Sequence, residues 1–155
     1  MGYMLEIKNI HKTFNKGTIN EKKALDGVDL NLNPGDFVTI IGGNGAGKST
    51  TLNAIAGSWL VDEGNIIIDG VDITRLPEHK RAVYLGRVFQ DPMTGTASTM
   101  SIEENMAIAA RRGHRRGLRW GFQKEREEFK KSWRLWDWGW EERISTKVGL
   151  LSGGQ

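Results

Sequence analysis

The sequence contains no cysteine among its 155 residues, which excludes disulfides and thiolate metal sites. It also lacks any apolar run of about 18 residues, so it offers no candidate for a membrane-spanning helix. The first residues, MGYMLEIKNI, mix acidic and basic side chains without an apolar stretch, and we expect no signal peptide. The net charge of +3 is too small to direct the chain to nucleic acid or an anionic membrane by itself.

The residues that are present have the balance of a globular protein, with 38% hydrophobic and 26% charged side chains. Alternating or continuous apolar patterns predict five strands, of which Phe37–Ile41 (FVTII) reads as a strand buried on both faces. The other four are MLEIKNI, ALDGVDLNL, GNIIIDG with an Asp-Gly turn, and RVFQD. The polar stretch HKTFNKGTINEKK, which contains Phe14, reads as a loop or hairpin.

Four segments have the pattern of helices. KSTTLNAIAG is closed by Gly57, and PEHKRAVYLG has Pro77 in its first turn. SIEENMAIAARR opens with the capping-box spacing of Ser101 and Glu104, and KEREEFKKSWRLWDW is rich in charge. We therefore expect a strand-rich core over residues 1–90 and a helical subdomain over residues 91–155.

A glycine-rich loop, GGNGAGKS at Gly42–Ser49, fits the pattern G-x-x-x-x-G-K-[ST]. Such a loop turns several backbone N–H groups towards phosphate, in conformations that glycine adopts readily. Lys48 supplies a positive charge for the β and γ phosphates, and Ser49 offers a hydroxyl to Mg²⁺. A glycine turn that fits by chance is the alternative, but the predicted strand before the loop and the helix after it favour phosphate binding.

Further motifs narrow the function of this loop. VFQDP lies some forty residues beyond it, and LSGGQ follows at Leu151–Gln155. Together with GGNGAGKST, GNIIIDGVDIT and Phe14, these motifs resemble the nucleotide-binding subunit of an ABC transporter. The resemblance covers Leu5 to Gln155 and implies an α/β fold: a P-loop NTPase sheet domain with a helical signature subdomain, both incomplete here.

The resemblance also implies roles for particular residues in binding ATP and Mg²⁺. Phe14 would stack on adenine, although an aromatic that simply covers the sheet is the alternative. Lys48 and Gln90 would act in catalysis, and Ser49 and Gln90 would contact Mg²⁺. The ATP-binding set implied by the Walker A loop and the signature motif comprises Gly42, Asn44, Gly45, Ala46, Gly47, Lys48, Ser49, Thr50, Ser152, Gly153, Gly154 and Gln155.

The resemblance implies that the signature motif covers the γ-phosphate of ATP held by a second subunit. The implied partner is therefore another nucleotide-binding subunit in a head-to-tail dimer. Separate permease subunits would carry the transport path, and the chain would lie peripherally at the cytoplasmic face of the cell membrane. The compact layout resembles uptake systems, which adds a substrate-binding protein as an expected partner; nucleic acid is not expected.

The family pattern continues beyond LSGGQ with an apolar strand ending in Asp-Glu (the Walker B motif) and a switch His. No apolar strand in these 155 residues ends in Asp-Glu, and His11, His79 and His114 all precede the signature. We therefore expect a truncated chain that retains ATP contacts, lacks the water-activating carboxylate and hydrolyses almost no ATP alone.

Three rival functions remain open at this point. An ABC-type ATPase acting on nucleic acid or ribosomes would carry long heptad or zinc insertions, and neither heptads nor cysteines occur here. A P-loop kinase or GTPase would lack LSGGQ. As it stands, the chain could also be a noncatalytic binding module.

Two unusual stretches belong to none of these motifs. Arg111–Phe122 holds five Arg and one His within nine residues, and a solvated loop is the plain interpretation. The alternatives are a basic face near lipid or the permease, and a nucleic-acid patch that includes Trp120 and Phe122. The four tryptophans of Trp133–Trp140 either pack within the helical subdomain or form an exposed patch for a partner.

Overall fold

The structure is a computed structural model that describes residues 2–113, 126–127, 129–131 and 143–151. The chain divides into two compact units, Met1–Leu85 and Gly86–Gln155. The expected domain boundary between residues 90 and 91 stays a prediction, because compactness alone does not define a domain.

The first unit is built on a four-stranded antiparallel sheet with the strand order β2-β1-β3-β4. The strands are β1 (Leu5–Phe14), β2 (Lys22–Leu32), β3 (Glu63–Ile68) and β4 (Val71–Asp72). The stretch predicted as a loop or hairpin is a hairpin, and Phe14 is the last residue of β1. Phe14 therefore does not lie in the loop where the sequence pattern placed it.

A bulge in the middle of β1 changes which side chains face the core. Leu5 and Ile7 are buried with even spacing, and Ile10 is buried three residues further on. The register shifts between Ile7 and Ile10 in both sheet pairings, and Asn9 has a positive φ of 46°. This extra residue keeps three apolar side chains on one face of the strand.

The Asp-Gly turn between β3 and β4 is confirmed. Asp69 and Gly70 have φ values of 49° and 76°, as a two-residue type I′ hairpin requires. The turn returns the chain so that Ile68 pairs with Val71.

The core of the first unit lies between the sheet and α1 (Lys48–Ala56). Ile66 and Ile73 are fully buried, and each such side chain contributes about 2 kcal/mol of transfer free energy. The buried cluster comprises Leu5, Ile7, Ile10, Leu25, Ala54, Val61, Ile66, Ile68 and Ile73.

The helix α1 has a glycine at each end, as predicted for its C-terminus. Gly57 has a φ of 88°, and its N–H donates to the carbonyl oxygen of Asn53 at 2.9 Å. The short α2 (Glu78–Arg81), preceded by Pro77, brings Arg81 into the core beside Gly57. An added Cβ at Gly57 would lie 2.8 Å from Arg81 Nε, so the two residues fit only without a side chain at Gly57.

Two predicted strands are wrong. Phe37–Ile41 and the RVFQD segment (Arg87–Asp91) form no strand, and Phe37, Ile41 and Val88 are 96%, 89% and 96% exposed. A buried strand needs a ladder partner on each side. Within the part of the chain that the structure describes, neither segment has one.

The second unit contains α3 (Ile102–Ala110) and two 3₁₀ helices, Pro92–Gly95 and Val148–Leu150. The capping box is confirmed: Ser101 Oγ accepts from the N–H of Glu104, whose Oε2 accepts from the N–H of Ser101. Of the second charged helix, residues 126, 127 and 129–131 are helical, and the rest lies outside the described residues.

An ion pair fixes α3 within this unit. The guanidinium of Arg126 donates to both carboxylate oxygens of Glu103, at 2.6 and 2.7 Å. This two-point contact lowers the pKa of Glu103 below its ordinary value. Among the helices described, none has the length and hydrophobicity to cross a membrane.

Candidate functional site

The glycine loop of the first unit leads directly into α1. Gly45 and Gly47 have positive φ values of 82° and 83°, a region that L-residues with side chains rarely occupy. Gly47 is also crowded, because an added Cβ would lie 2.9 Å from the carbonyl oxygen of Ala24 on β2. Backbone shape and packing against the sheet therefore both require glycine at this position.

A cavity of about 240 Å³ opens over this loop and the first turn of α1. Its lining contains the side chains of two cations, Lys22 and Lys48, and no acidic residue. The α1 N-terminus contributes partial positive charge from its free N–H groups. The site therefore suits an anion with several oxygens; its lining comprises Lys22, Ala24, Asn44, Gly45, Ala46, Gly47, Lys48, Ser49 and Thr50.

The ammonium group of Lys48 is held by backbone carbonyls of the loop. Its Nζ donates to the carbonyl oxygens of Gly42 and Gly43, at 2.5 and 2.8 Å. An ammonium has three donors, so one N–H bond remains for another acceptor. These carbonyls thus position the Lys48 ammonium, which the sequence motif predicts to bind phosphate.

The hydroxyl residues after Lys48 divide between the cavity and the helix. Ser49 and Thr50 line the cavity, whereas Thr51 is buried and its Oγ1 donates to the carbonyl oxygen of Gly47 at 3.0 Å. Ser49 fits a Mg²⁺ ion that takes most of its ligands from phosphate and water, which is how proteins usually hold this ion. Within the described residues, no group of three or more His, Asp or Glu could hold a metal.

Phe14 lies beside the cavity through the register of the hairpin. It pairs with Lys22, whose side chain lines the cavity. The Phe14 ring makes an edge-to-face contact with Trp59, with centroids 5.3 Å apart, and Lys12 Nζ lies 5.6 Å from its centre. The sequence reading missed Trp59, Lys22 and Ala24, because no local motif marks residues that the hairpin and the end of α1 bring together.

Asp62 holds the strand end that carries Phe14. One carboxylate oxygen accepts from the backbone N–H of Thr13 at 2.6 Å, and the other accepts from Lys12 Nζ at 3.0 Å. The hydrogen bond from Thr13, followed by the bond and charge of Lys12, lowers the pKa of Asp62 below its ordinary value.

Gln90 belongs to the second unit, where its side chain is exposed. It follows Phe89, whose ring lies 4.5 Å from the guanidinium carbon of Arg87. Asp91 caps the next turn by accepting from the N–H of Met93 at 2.9 Å. The role of Gln90 in binding Mg²⁺ and water stays a prediction.

The signature residues Ser152, Gly153, Gly154 and Gln155 lie outside the described residues, as do the four tryptophans of Trp133–Trp140 and most of the basic run. The chain just before the signature is described: Gly149 donates its N–H to the carbonyl oxygen of Ser98 at 2.9 Å. An added Cβ at Gly149 would lie 2.9 Å from the same oxygen, so this approach requires glycine.

Three curated relatives have names that state their roles. The tyrosine transport ATP-binding protein of Clostridioides difficile (strain R20291) is 35% identical over 152 residues, which are 98% of this chain and 61% of that protein. The bacitracin export ATP-binding protein of Halalkalibacterium halodurans is 36% identical over 68% of this chain and 42% of its own length. The spermidine/putrescine import ATP-binding protein of Haemophilus influenzae is 38% identical over 70% and 27%, respectively. The chain thus spans less than two thirds of each relative.

Solved structures agree with these relatives. The ADP conformation of an ATP-binding cassette of an ABC transporter superposes with a TM-score of 0.74 at 32% identity, over 99% of this chain and 61% of that one. A dimeric post-hydrolysis ATP-binding cassette bound to ADP and Pi gives 0.74 at 28% identity, over 98% and 65%. The family model described as ABC transporter matches residues 25–155. The expected α/β P-loop NTPase fold is therefore confirmed, and the chain belongs to the ABC transporter family, among its nucleotide-binding subunits.

Proposed function

We propose that this chain binds ATP in the cavity over Gly42–Thr50, as part of a protein that couples ATP binding and hydrolysis to transport across a membrane. The observation that carries the proposal is the cavity itself. Two lysines, the positive-φ glycines and the start of α1 converge on one acid-free space. In this arrangement Lys48 binds phosphate oxygens through its remaining donor, and the loop N–H groups bind the others.

The base would lie on the Phe14 side of the cavity. The hairpin register places Phe14 beside Lys22 and hence at the edge of the phosphate site. Stacking of adenine on an aromatic ring contributes about 1–3 kcal/mol. We infer that the half-buried ring of Phe14 takes this role.

Mg²⁺ would bind at Ser49, which lines the cavity. The amide oxygen of Gln90 is the further Mg²⁺ ligand that the family resemblance implies. When bound, the ion neutralises charge on the phosphates. The residues of this chain bind and orient: Lys48 and the loop fix the phosphates, and Gln90 would hold the attacking water through its amide.

The remaining proposals concern partners. A post-hydrolysis cassette of known structure is dimeric and bound to ADP and Pi, which supports a dimer in which Ser152–Gln155 faces the partner's nucleotide. A further structural neighbour, from Clostridium perfringens, is part of an ABC transporter complex, which supports separate permease subunits and a peripheral position at the cytoplasmic face of the membrane.

The direction of transport is also a proposal. The curated relatives include both an export and an import protein. We propose uptake, with a substrate-binding protein as a further partner, because the compact layout of this chain resembles uptake systems.

Equilibrium binding of ATP to three forms of the protein tests the proposed site. Lys48→Ala removes the loop cation, and Lys80→Ala removes an exposed lysine of α2 that does not line the cavity. Loss of a charge-assisted hydrogen bond costs roughly 1.5–3 kcal/mol, so ATP affinity falls about 10- to 100-fold in the first variant. The second variant binds like wild type. Equal affinity in all three forms would overturn the proposal.

A further inference from the structure

We propose that Lys22 is a second phosphate-binding residue of this site and contacts the α-phosphate of the nucleotide. This inference rests on the proposed function and extends it to a residue that lies outside every motif in the sequence. Lys22 is the first residue of β2, twenty residues before the glycine loop begins. The tertiary fold brings its side chain into the cavity lining.

The position of the ammonium carries the inference. A Cβ built on Gly45 would lie 4.0 Å from Lys22 Nζ, and no heavy atom outside residues 44–46 lies closer to it. Gly45 is the residue of the loop that turns its backbone through a positive φ of 82°. The ammonium therefore lies close to the middle of the phosphate loop, and both residues line the same cavity.

The cross-strand pairing fixes the order of groups along the cavity. Lys22 pairs with Phe14 on one side and faces Gly45 on the other. If adenine stacks on Phe14 and the terminal phosphates lie in the loop near Lys48, the ribose and α-phosphate must cross the gap between them. Lys22 lies in that gap, and the α-phosphate carries the negative charge there.

The charge of Lys22 is available for this contact. Among the residues that the structure describes, Lys22 forms no ion pair and no side-chain hydrogen bond. Its neighbour Lys23 is engaged differently, because its Nζ lies 2.7 Å from Asp26 Oδ1 and its side chain does not line the cavity. Adjacent residues of a strand point to opposite faces, which explains the difference.

The test compares Lys22→Gln with Lys23→Gln, which removes the same charge from the next residue of the same strand. ATP and ADP affinities are measured by equilibrium titration at about 0.05 M and 0.5 M salt, spanning strong and weak screening. Because Lys22 is exposed, we expect Lys22→Gln to weaken the binding of both nucleotides at low salt by a similar factor, about 2- to 5-fold. The loss shrinks at high salt, and Lys23→Gln matches wild type. Circular dichroism checks that both variants fold.

Three outcomes would overturn the inference. Lys22→Gln could bind both nucleotides like Lys23→Gln, which makes Lys22 a solvated surface residue. It could lose affinity for ATP alone, which moves the contact to the γ-phosphate, or lose the same factor at both salt concentrations, which excludes a direct charge contact. A parallel titration of Lys48→Ala distinguishes failure of the Lys22 inference from failure of the proposed ATP site. If Lys48→Ala also binds both nucleotides like wild type, the cavity is not the nucleotide site.

Discussion

Arg81 Nη1 donates to the carbonyl oxygen of Ala54 at 2.6 Å, in the last turn of the helix that begins at the phosphate loop. The guanidinium also donates to the carbonyl oxygens of Ile55, Thr74 and Leu76, and the residue is fully buried. Burial lowers the pKa of Arg81, and an attraction to Asp72 opposes this effect. A cation at a helix C-terminus complements the helix dipole, so Arg81 anchors the far end of α1.

Replacing Arg81 with Met should therefore destabilise the protein strongly. The change leaves four carbonyl oxygens without this donor, at about 1–3 kcal/mol for each one that stays buried and unsatisfied. We expect a loss of about 3 kcal/mol or more in the free energy of unfolding, measured by urea denaturation. The control is Arg75→Met, since exposed Arg75 donates one bond, to Val61 at 2.9 Å, and should cost less than about 1 kcal/mol. Equal losses in the two variants would contradict the anchoring role.

The backbone of the loop gives a second prediction. Gly47→Ala forces a side chain into a positive φ and to within 2.9 Å of Ala24 O, so we expect about 1–2 kcal/mol of destabilisation and a loss of ATP binding. Gly43→Ala is the matched control, because an added Cβ there meets no atom within 4 Å. Thermal unfolding and ATP titration measure both effects. A Gly47→Ala protein with wild-type stability and wild-type ATP affinity would show that this loop geometry is wrong.

The aromatic at the end of β1 should act on the base and not on the phosphates. Phe14→Ala removes the stacking surface, so ATP affinity should fall about 5- to 100-fold, while affinity for inorganic triphosphate stays unchanged. Competition titrations with the two ligands measure this difference. Phe14→Tyr, which keeps the ring, should bind ATP like wild type. A parallel loss of both ligands in Phe14→Ala would indicate that Phe14 supports the sheet and does not touch adenine.

The stabilisation that Asp62 gives to the end of β1 should depend on pH. Because the folded-state pKa of Asp62 lies below its ordinary value, its contribution to stability is present above about pH 4 and is lost as the pH falls through the lowered value. Asp62→Asn should therefore be less stable than wild type at pH 7, and the difference should close towards pH 2. Urea denaturation at a series of pH values tests this sign. A difference that grows on acidification would contradict it.

Motifs with a local mechanism could be predicted from the sequence. The glycine loop, the end of α1 at Gly57, the Asp-Gly turn and the Ser101 capping box each depend on residues a few positions apart, and the structure has all four. The strand predicted at Phe37–Ile41 failed because strand formation depends on partners that the local pattern does not contain.

The missed residues share one physical cause. The hairpin places Lys22 in the cavity lining. Trp59, which follows α1, contacts the ring of Phe14, and Arg81 lies in the core although it belongs to a helix of only four residues. A lysine or arginine in a polar stretch normally predicts a solvated surface. Tertiary contacts, and not the local sequence, distinguish Lys22 and Arg81 from ordinary surface residues.

We propose that the cavity over Gly42–Thr50 holds the triphosphate of ATP. A crystal structure of the protein with a nonhydrolysable ATP analogue and Mg²⁺ would show whether it does. We expect phosphate oxygens within hydrogen-bond distance of Lys48 Nζ and of the loop N–H groups, with the base against Phe14. An analogue bound elsewhere, with Lys48 still donating only to Gly42 and Gly43, would refute the proposal.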